Sequence, residues 1–254
     1  MKYSSSKEDY IKAIFHLQEI HGMVTTNELA HELQTRPASV TDMLKKLKTQ
    51  KLLLYEKYHG FKLSLEGKKV ALQIIRKHRL WEYFLVQKLN FGWDEVHEIA
   101  EELEHVTSKT LIDRLDEFLG FPKADPHGDP IPDSNGKLVT MPQVDLLHLP
   151  ANNIVEVSSI GDQTPGMLEL LTHKNIRLGT RLEVKRKFSF DNSIELTIYN
   201  SGKILSASKD LKTKSRKVRG SASQEQITNN QSTITLSEHV AKNVFVKYDE
   251  QNSK

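Results

Sequence analysis

Cysteine is absent from the 254 residues, and aromatic residues make up only 7% of them. Without cysteine the chain forms no disulfide bond, has no thiol nucleophile and offers no thiolate to a metal, which agrees with a reducing cytoplasm. No apolar run approaches the roughly 18 residues of a membrane span, and no signal-peptide pattern opens the chain. We therefore expect a cytoplasmic protein without a membrane partner, folded as one large domain or as two to three small ones.

The small net charge of +3 conceals three regions of different character. Residues 1–70 carry 12 Lys and Arg against 8 Asp and Glu, residues 71–150 carry 8 against 14, and residues 151–254 carry 16 against 11. A basic region suits a polyanionic partner, whereas the acidic middle is where cations would collect.

Residues 1–72 are predicted to form a winged helix-turn-helix. Thr25 and Glu28 have the spacing of a capping box, and Pro37 occupies the favoured first position of the following helix. A hairpin with Gly60 at its turn comes next, in the position of a wing. The alternative is a generic three-helix domain followed by an unrelated hairpin.

The second helix of this motif would enter the major groove of double-stranded DNA, because its front carries small and polar side chains. The predicted DNA-binding residues are Arg36, Pro37, Ala38, Ser39, Thr41, Asp42, Lys45 and Lys48 on this helix, and His59 on the wing.

Helical periodicity continues to residue 122 and predicts a helical dimerisation domain over residues 73–122. One of its helices is expected to begin at Asp94. The last one has a wider apolar face than a small domain needs, with Leu111, Leu115 and Phe118 in surplus. A homodimer is the economical explanation, and a dimer suits a palindromic operator.

The rest of the chain is predicted to be a linker and a small β-barrel. Residues 123–149 are rich in Pro, Gly and Asp and form the linker, and residues 150–254 contain short strands with one helix near 165–172. A polar, basic stretch at about 206–232 is expected to be an insertion in the barrel.

The segment HEIAEELEH, residues 97–105, places two histidines and four carboxylates in nine residues. Glu101, Glu104 and His105 stand at i, i+3 and i+4, so on a helix their side chains converge, and His97 lies in the same arc. Oxygen and imidazole ligands without sulfur suit Mn²⁺ or Fe²⁺.

Two further positions could contribute to such a site. His78 and Glu82 repeat the i, i+4 spacing on the preceding helix. Asp9 can point outward from the first helix, although its pattern alone is that of an ordinary surface carboxylate. The alternative for the whole set is a solvated acidic helix face that holds no metal.

The sequence does not indicate an enzyme. A zinc protease motif would need a second histidine four residues after His97, where Glu101 stands. A di-metal bundle would need Glu-x-x-His on two long helices, and one of the two matches here lies on the short helix with Glu28. No Ser-His-Asp spacing, P-loop or dinucleotide fingerprint is found, so no organic cofactor is expected.

Several stretches together resemble the diphtheria-toxin-repressor family of metal-dependent transcriptional regulators, which includes manganese- and iron-responsive members. The stretches are SKEDYI (6–11), ASVT (38–41), YEKYHG (55–60), RKHRL (76–80) and the segment from Val96 through Val106. The resemblance covers residues 1–122 throughout and residues 154–246 more loosely. It implies a mainly α N-terminal half, made of a winged helix-turn-helix and a helical dimerisation domain, and a small C-terminal SH3-like β-barrel.

The resemblance also implies two metal sites. The primary, regulatory site falls on Asp9, Glu101, Glu104 and His105. The ancillary site falls on His78, Glu82, His97, Asp125, His127 and, from the barrel, Asp162. Iron-type members have Met and Cys where this chain has Asp9 and Glu101, whereas manganese-type members have Asp and Glu.

These observations predict a cytoplasmic, homodimeric, Mn²⁺-activated repressor of metal-homeostasis genes that binds a double-stranded DNA operator. The alternatives are an Fe²⁺-responsive regulator of the same family and a helical di-metal storage protein or enzyme.

Overall fold

The computed structural model describes residues 3–56, 58–106, 108–139, 142–199 and 231–248. The chain divides into two compact units, Met1–Met141 with Gln163–Leu168 and Pro142–Asp162 with Glu169–Lys254. Among the described residues, no helix combines the length and the apolar character needed to cross a bilayer.

The described part of the first unit is helical apart from one hairpin. Its elements are α1 Ser5–His21, α2 Thr26–Glu32, α3 Pro37–Thr49, β1 Leu53–Glu56, β2 Gly60–Leu63, α4 Leu65–Leu89, α5 Val96–Glu104 and α6 Lys109–Phe118. The predicted capping box begins α2, since the Thr25 hydroxyl accepts from the Glu28 amide at 3.2 Å and the Glu28 carboxylate accepts from the Thr25 amide at 2.7 Å. Pro37 opens α3 as predicted.

The hairpin is fixed to the helices by backbone contacts at Gly60. The neighbouring Phe61 exchanges two backbone hydrogen bonds with Val24, each 2.9 Å long. Gly60 has φ +109°, and a β-carbon there would lie 2.3 Å from the carbonyl oxygen of Val24. Only glycine meets both conditions, so the wing lies tight against the segment between α1 and α2.

Helix α4 connects three small hydrophobic cores. Its first half packs Ile74 into the core of α1–α3 and the hairpin. Further along, Leu80 packs against α6, and Leu85 packs against α5. The predicted boundary between residues 72 and 73 therefore falls inside one continuous helix, which couples the winged helix mechanically to α5 and α6.

Helix α5 begins later than the sequence predicted. It starts at Val96, not at Asp94. The residues before it form a turn in which the Gly92 amide donates to the Glu95 carboxylate at 3.0 Å and the Glu95 amide donates to the Gly92 carbonyl at 3.2 Å. The helix ends at Glu104, so His105 occupies its C-cap.

Part of the predicted linker is a buried, ordered turn. Asp125 is 3% exposed and His127 is fully buried. The Asp125 carboxylate accepts from the backbone amides of His127 at 2.8 Å and Asp129 at 3.1 Å. This turn brings two predicted metal ligands into the first unit.

The described part of the second unit contains one six-stranded antiparallel sheet with the order β3-β8-β4-β5-β6-β7. Its elements are β3 Val144–Asp145, β4 Ile154–Ile160, α7 Pro165–His173, β5 Arg181–Lys187, β6 Ile194–Tyr199, β7 Gln231–Leu236, α8 Glu238–Lys242 and β8 Val244–Lys247; the division between the units falls inside α7. The apolar side chains of β4 to β6, such as Val157, Leu182 and Leu196, are buried.

The predicted fold class is confirmed: a helical N-terminal half precedes a small antiparallel β unit. The described strands form an open sheet with β3 and β7 at its edges. The predicted basic insertion lies outside the described residues, except for its last two positions, which belong to β7.

Candidate metal centre and DNA interface

Helix α1 and the end of α5 bring three predicted primary ligands together. The Nε2 atom of His105 lies 3.2 Å from Oδ1 of Asp9. Asp9, Glu104 and His105 each offer a ligand atom within 4.8 Å of the others. Asp9 stands on the first helix of the winged-helix region, whereas Glu104 and His105 stand at the end of α5, so this cluster joins the two regions.

Glu101, the fourth predicted primary ligand, lies outside this three-residue group. One of its carboxylate oxygens is 3.2 Å from the Lys12 ammonium and 3.5 Å from Nε2 of His97. It lines the same open cavity of about 850 Å³ as Asp9 and His105.

Glu8 lies beside the predicted primary ligands, although the sequence pattern did not predict it there. Its carboxylate is 3.0 Å from Nδ1 of His105 and 3.2 Å from the ammonium of Lys77. Glu8 is only 6% exposed. It precedes Ile11 by three and Phe15 by seven residues, both buried, and a carboxylate on that apolar stripe was the available signal.

The predicted ancillary ligands of α4 and α5 also meet. Oε1 of Glu82 lies 3.1 Å from Nε2 of His78 and 3.4 Å from Nδ1 of His97. The other ring nitrogen of His78 is 2.7 Å from the Glu104 carboxylate. His78 therefore connects the primary cluster to the ancillary one.

A third group joins Glu82 to the buried turn. Nδ1 of His127 lies 3.9 Å from Oε1 of Glu82 and 3.9 Å from Oδ1 of Asp125. Nε2 of His127 donates to the Trp93 carbonyl at 2.7 Å, because a carbonyl only accepts. Nδ1 is buried, faces two carboxylates and has no hydrogen-bond partner among the described residues. Three converging acceptors of this kind fit a divalent cation.

Asp162, the predicted ligand from the barrel, belongs to the second unit. There its Oδ2 lies 3.3 Å from Nε2 of His239. Its role as an ancillary ligand stays a prediction.

Burial and ion pairing oppose each other in these clusters. Burial by itself lowers the pKa of His78, but hydrogen bonds to Glu104 and Glu82 outweigh it and raise that pKa to about 9. Burial raises the pKa of Glu82, yet its hydrogen bonds to His78 and His97 bring that pKa below its usual range. Glu82 and the protonated His78 thus stabilise each other in the metal-free protein.

At two carboxylates, the favourable contacts do not offset the effect of burial, and the pKa stays raised. Burial, with Glu82 and Asp129 nearby, raises the pKa of Asp125 well above its usual value. Burial also raises the pKa of Asp9, with the nearby Glu104 adding to it and His105 and Lys12 opposing it. A bound cation would favour the ionised forms of both groups.

The predicted DNA-binding residues form an exposed surface on α3 and the wing. Arg36, Pro37, Ala38, Ser39, Thr41, Asp42, Lys45, Lys48 and His59 are all exposed. Lys45 lies 3.1 Å from Asp42, and the Lys48 ammonium lies 5.5 Å from the ring centre of Tyr55. Tyr55, which is 62% exposed on β1, extends this surface beyond the predicted residues.

The apolar surplus on α6 is smaller than predicted. Phe118 is 65% exposed and Leu111 is 43% exposed, but Leu115 is 7% exposed and packs with Leu80 and Ile112. Periodicity placed all three on one face without showing that α4 already covers Leu115.

The fold and the site together define a class: a winged-helix protein in which predicted metal ligands join the DNA-binding region to the helices that follow. Two family models match this part of the chain. "Iron dependent repressor, N-terminal DNA binding domain" matches residues 2–61, and "Iron dependent repressor, metal binding and dimerisation domain" matches residues 64–133. The chain belongs to the iron-dependent repressor family, the diphtheria-toxin-repressor family that its sequence motifs indicated.

Individual relatives agree with this assignment. The "HTH-type transcriptional regulator MntR" of Oceanobacillus iheyensis is 36% identical over 120 residues, which are 47% of this chain and 81% of the relative. That of Bacillus subtilis (strain 168) is 34% identical over 116 residues, 46% of this chain and 81% of the relative.

Solved structures extend the similarity over both units. A "Manganese-dependent transcriptional repressor complex with manganese" has a TM-score of 0.73 at 30% identity. The matched region covers 94% of this chain and 98% of the chain in that structure. ScaR with bound Cd²⁺ has a TM-score of 0.71 at 28% identity, with coverage of 96% and 99%.

Proposed function

We propose that the protein is a homodimeric transcriptional repressor that Mn²⁺ activates to bind a double-stranded DNA operator. Residues 1–72 bind DNA, residues 73–122 dimerise and hold the metal, and residues 150–254 adjust the response. A regulator of this kind works in the cytoplasm, where the DNA is, and its metal is an effector rather than a catalyst.

The observation that carries the proposal is the meeting of Asp9 with Glu104 and His105. Asp9 stands in the segment matched by the DNA-binding model, and the other two stand in the segment matched by the metal-binding and dimerisation model. A ligand set drawn from both segments holds them in one relative position, and thereby favours one spacing of the two α3 helices in a dimer.

The donor chemistry fits Mn²⁺. Carboxylate oxygens and imidazole nitrogen, with no sulfur in the chain, suit a hard to borderline divalent ion. Bound Mn²⁺ supplies two positive charges to a region where Asp9 and Asp125 have raised pKa values. His78 contacts both Glu82 of the ancillary set and Glu104 of the primary set, so metal binding at one set should change the metal affinity of the other.

Activation then follows from thermodynamic linkage. If the metal-bound protein binds its operator more tightly, DNA must tighten metal binding by the same factor. A coupling of about 1–3 kcal/mol changes operator affinity ~5- to 150-fold.

The test begins with selection of duplexes from a randomised DNA library by the full-length protein in Mn²⁺. Affinity for the selected duplex is then measured by fluorescence anisotropy under anaerobic conditions with Mn²⁺, Fe²⁺, Zn²⁺ or EDTA. We expect tight binding with Mn²⁺ and a loss of at least fivefold in EDTA, in line with the coupling above. Equal affinity in Mn²⁺ and EDTA contradicts the proposal, and activation by Fe²⁺ alone would make the protein an iron sensor.

A further inference from the structure

Glu8 and Asp9, which are neighbours on α1, contact different nitrogens of the His105 imidazole. Oε2 of Glu8 lies 3.0 Å from Nδ1, whereas Oδ1 of Asp9 lies 3.2 Å from Nε2. The two nitrogens stand on opposite sides of the ring, so a cation held by Nε2 beside Asp9 lies across the ring from Glu8. A ligating histidine uses one nitrogen for the metal and donates a hydrogen bond from the other. Glu8 lies where that second bond is made.

The surroundings of Glu8 suit the support of a ligand rather than the capture of an ion. Asp9 and His105 line the open cavity, but Glu8 is buried and lies outside the Asp9–Glu104–His105 group. The oxygen of Glu8 that contacts His105 also lies 3.2 Å from the Lys77 ammonium of α4. This ion pair holds the Glu8 carboxylate in place without any metal.

His105 needs such support because of its place in the fold. It occupies the C-cap of α5 and its side chain is 22% exposed, so packing alone does not enclose the ring. A neutral imidazole has one N–H, and an ionised carboxylate only accepts. The bond to Glu8 therefore places the N–H on Nδ1 and leaves Nε2 with the free electron pair that a cation requires.

We infer that Glu8 is a positioning residue for the metal: its carboxylate orients His105 and selects the tautomer whose Nε2 faces Asp9. Glu8 itself is not a ligand in this arrangement. The inference rests on the proposed function, since it concerns a ligand of the same site. It explains why a carboxylate is buried on the apolar stripe of α1, where burial is unfavourable unless the group is paired.

The first test is calorimetric titration of the full-length protein with Mn²⁺, comparing Glu8→Met with Glu8→Gln. The two replacements have similar size and the same charge, but only the glutamine oxygen can accept from Nδ1–H. The primary-site phase is the one that His105→Ala removes. Glu8→Met should weaken this phase about 10- to 100-fold, as loss of the partner of a ligating histidine usually does, and Glu8→Gln should recover most of that loss. Both should bind the wild-type number of ions.

The second test reports on the imidazole ring itself. Protein with ¹⁵N-labelled histidine is loaded with ¹¹³Cd²⁺, a diamagnetic ion in place of Mn²⁺, and the signals of His105 are assigned by their loss in His105→Ala. Coupling between cadmium and nitrogen then shows which ring nitrogen holds the ion. In the wild type we expect coupling to Nε2 and a slowly exchanging proton on Nδ1. Glu8→Met should lose the slow exchange, and Glu8→Gln should keep it.

Glu19→Met and Glu19→Gln are the matched controls, because Glu19 is an exposed carboxylate of the same helix, 3.8 Å from the Lys68 ammonium. Both should keep the wild-type affinity for Mn²⁺. The wild-type spectrum decides the case in which Glu8→Met does not fold, since it requires no change at Glu8.

Equal Mn²⁺ affinity in Glu8→Met and Glu8→Gln overturns the inference, and so does cadmium on Nδ1 of His105 in the wild type. A lower number of bound ions in Glu8→Gln also overturns it, because Glu8 would then be a ligand. Failure of the proposed function looks different: the wild type would have no Mn²⁺ phase that His105→Ala removes, or that phase would leave operator affinity unchanged.

Discussion

At the scale of single residues, His78 connects groups that the sequence separates by up to 26 positions. One ring nitrogen is 2.7 Å from Glu104 and the other is 3.1 Å from Glu82. A protonated imidazole between two carboxylates is stable without metal, but as a ligand it must first lose its proton. Protons and metal therefore compete for this residue.

This competition predicts a pH dependence of stability in EDTA. The pKa of His78 is raised from an ordinary 6.5 to about 9 in the folded protein. A raised pKa contributes stability that is complete below the unfolded value and is lost as pH rises through the folded one. Urea unfolding of the wild type should therefore show a loss of about 1–3 kcal/mol between pH 6.5 and 9.5 that is missing from His78→Gln. An equally steep loss in the variant would contradict this assignment, and His148→Gln, at an exposed histidine of the second unit, is the control.

At the scale of elements, α3 and the hairpin present one exposed polar surface on a rigid support. The backbone bonds between Val24 and Phe61 and the close approach at Gly60 fix the hairpin. Lys45 and Lys48 stand on the exposed side of α3, one turn apart. Lysines of this kind contact phosphates and carry no sequence information themselves.

Lys45→Met should consequently weaken binding to all duplexes by a similar factor. The slope of log affinity against log salt concentration should fall by about one unit, because one phosphate contact is lost. Thr41→Leu should instead reduce the preference for the selected duplex over random DNA. Lys69→Met, at an exposed lysine of α4 that pairs with Glu66, is the control for the lysine change. An unaltered salt slope in Lys45→Met would contradict the prediction that α3 lies at the DNA interface.

Local signals predicted the elements well, whereas contacts distant in sequence escaped them. The capping box at Thr25 depends on a few neighbouring residues, so the sequence contains it fully. At Gly60 the sequence predicts the turn, but the close approach to Val24 is a contact between distant positions. The burial of His127 depends on Trp93 and Glu82, which lie 34 and 45 positions away, and no periodicity encodes it. Helical periodicity predicts a free face for Leu115 for the same reason, since only the fold shows that α4 covers it.

At the scale of the whole molecule, the proposed dimer depends on the apolar residues of α6 that stay exposed. Phe118→Glu should yield monomers in sedimentation velocity that remain folded, because Phe118 is 65% exposed in the protomer. Leu115→Ala should instead cost about 2–5 kcal/mol of unfolding free energy, as expected for a buried leucine. If the wild type is monomeric at micromolar concentration, the predicted dimer on a two-fold symmetric operator is wrong.

In the proposed mechanism, a bound cation acts by joining α1 to the end of α5. Asp9→Ala leaves Glu104 and His105 in place, so Mn²⁺ should still bind, more weakly, while no longer tightening operator binding. His105→Ala should remove most primary-site affinity, and Glu19→Ala, at an exposed carboxylate of α1 paired with Lys68, should behave as the wild type.

The most direct measurement is therefore the ratio of operator affinities with and without saturating Mn²⁺ in Asp9→Ala, with calorimetry confirming that metal is bound. We predict a ratio near one for this variant and a ratio of about 5- to 150-fold for the wild type. A full wild-type ratio in Asp9→Ala would contradict the claim that Asp9 transmits metal binding to the DNA-binding helices.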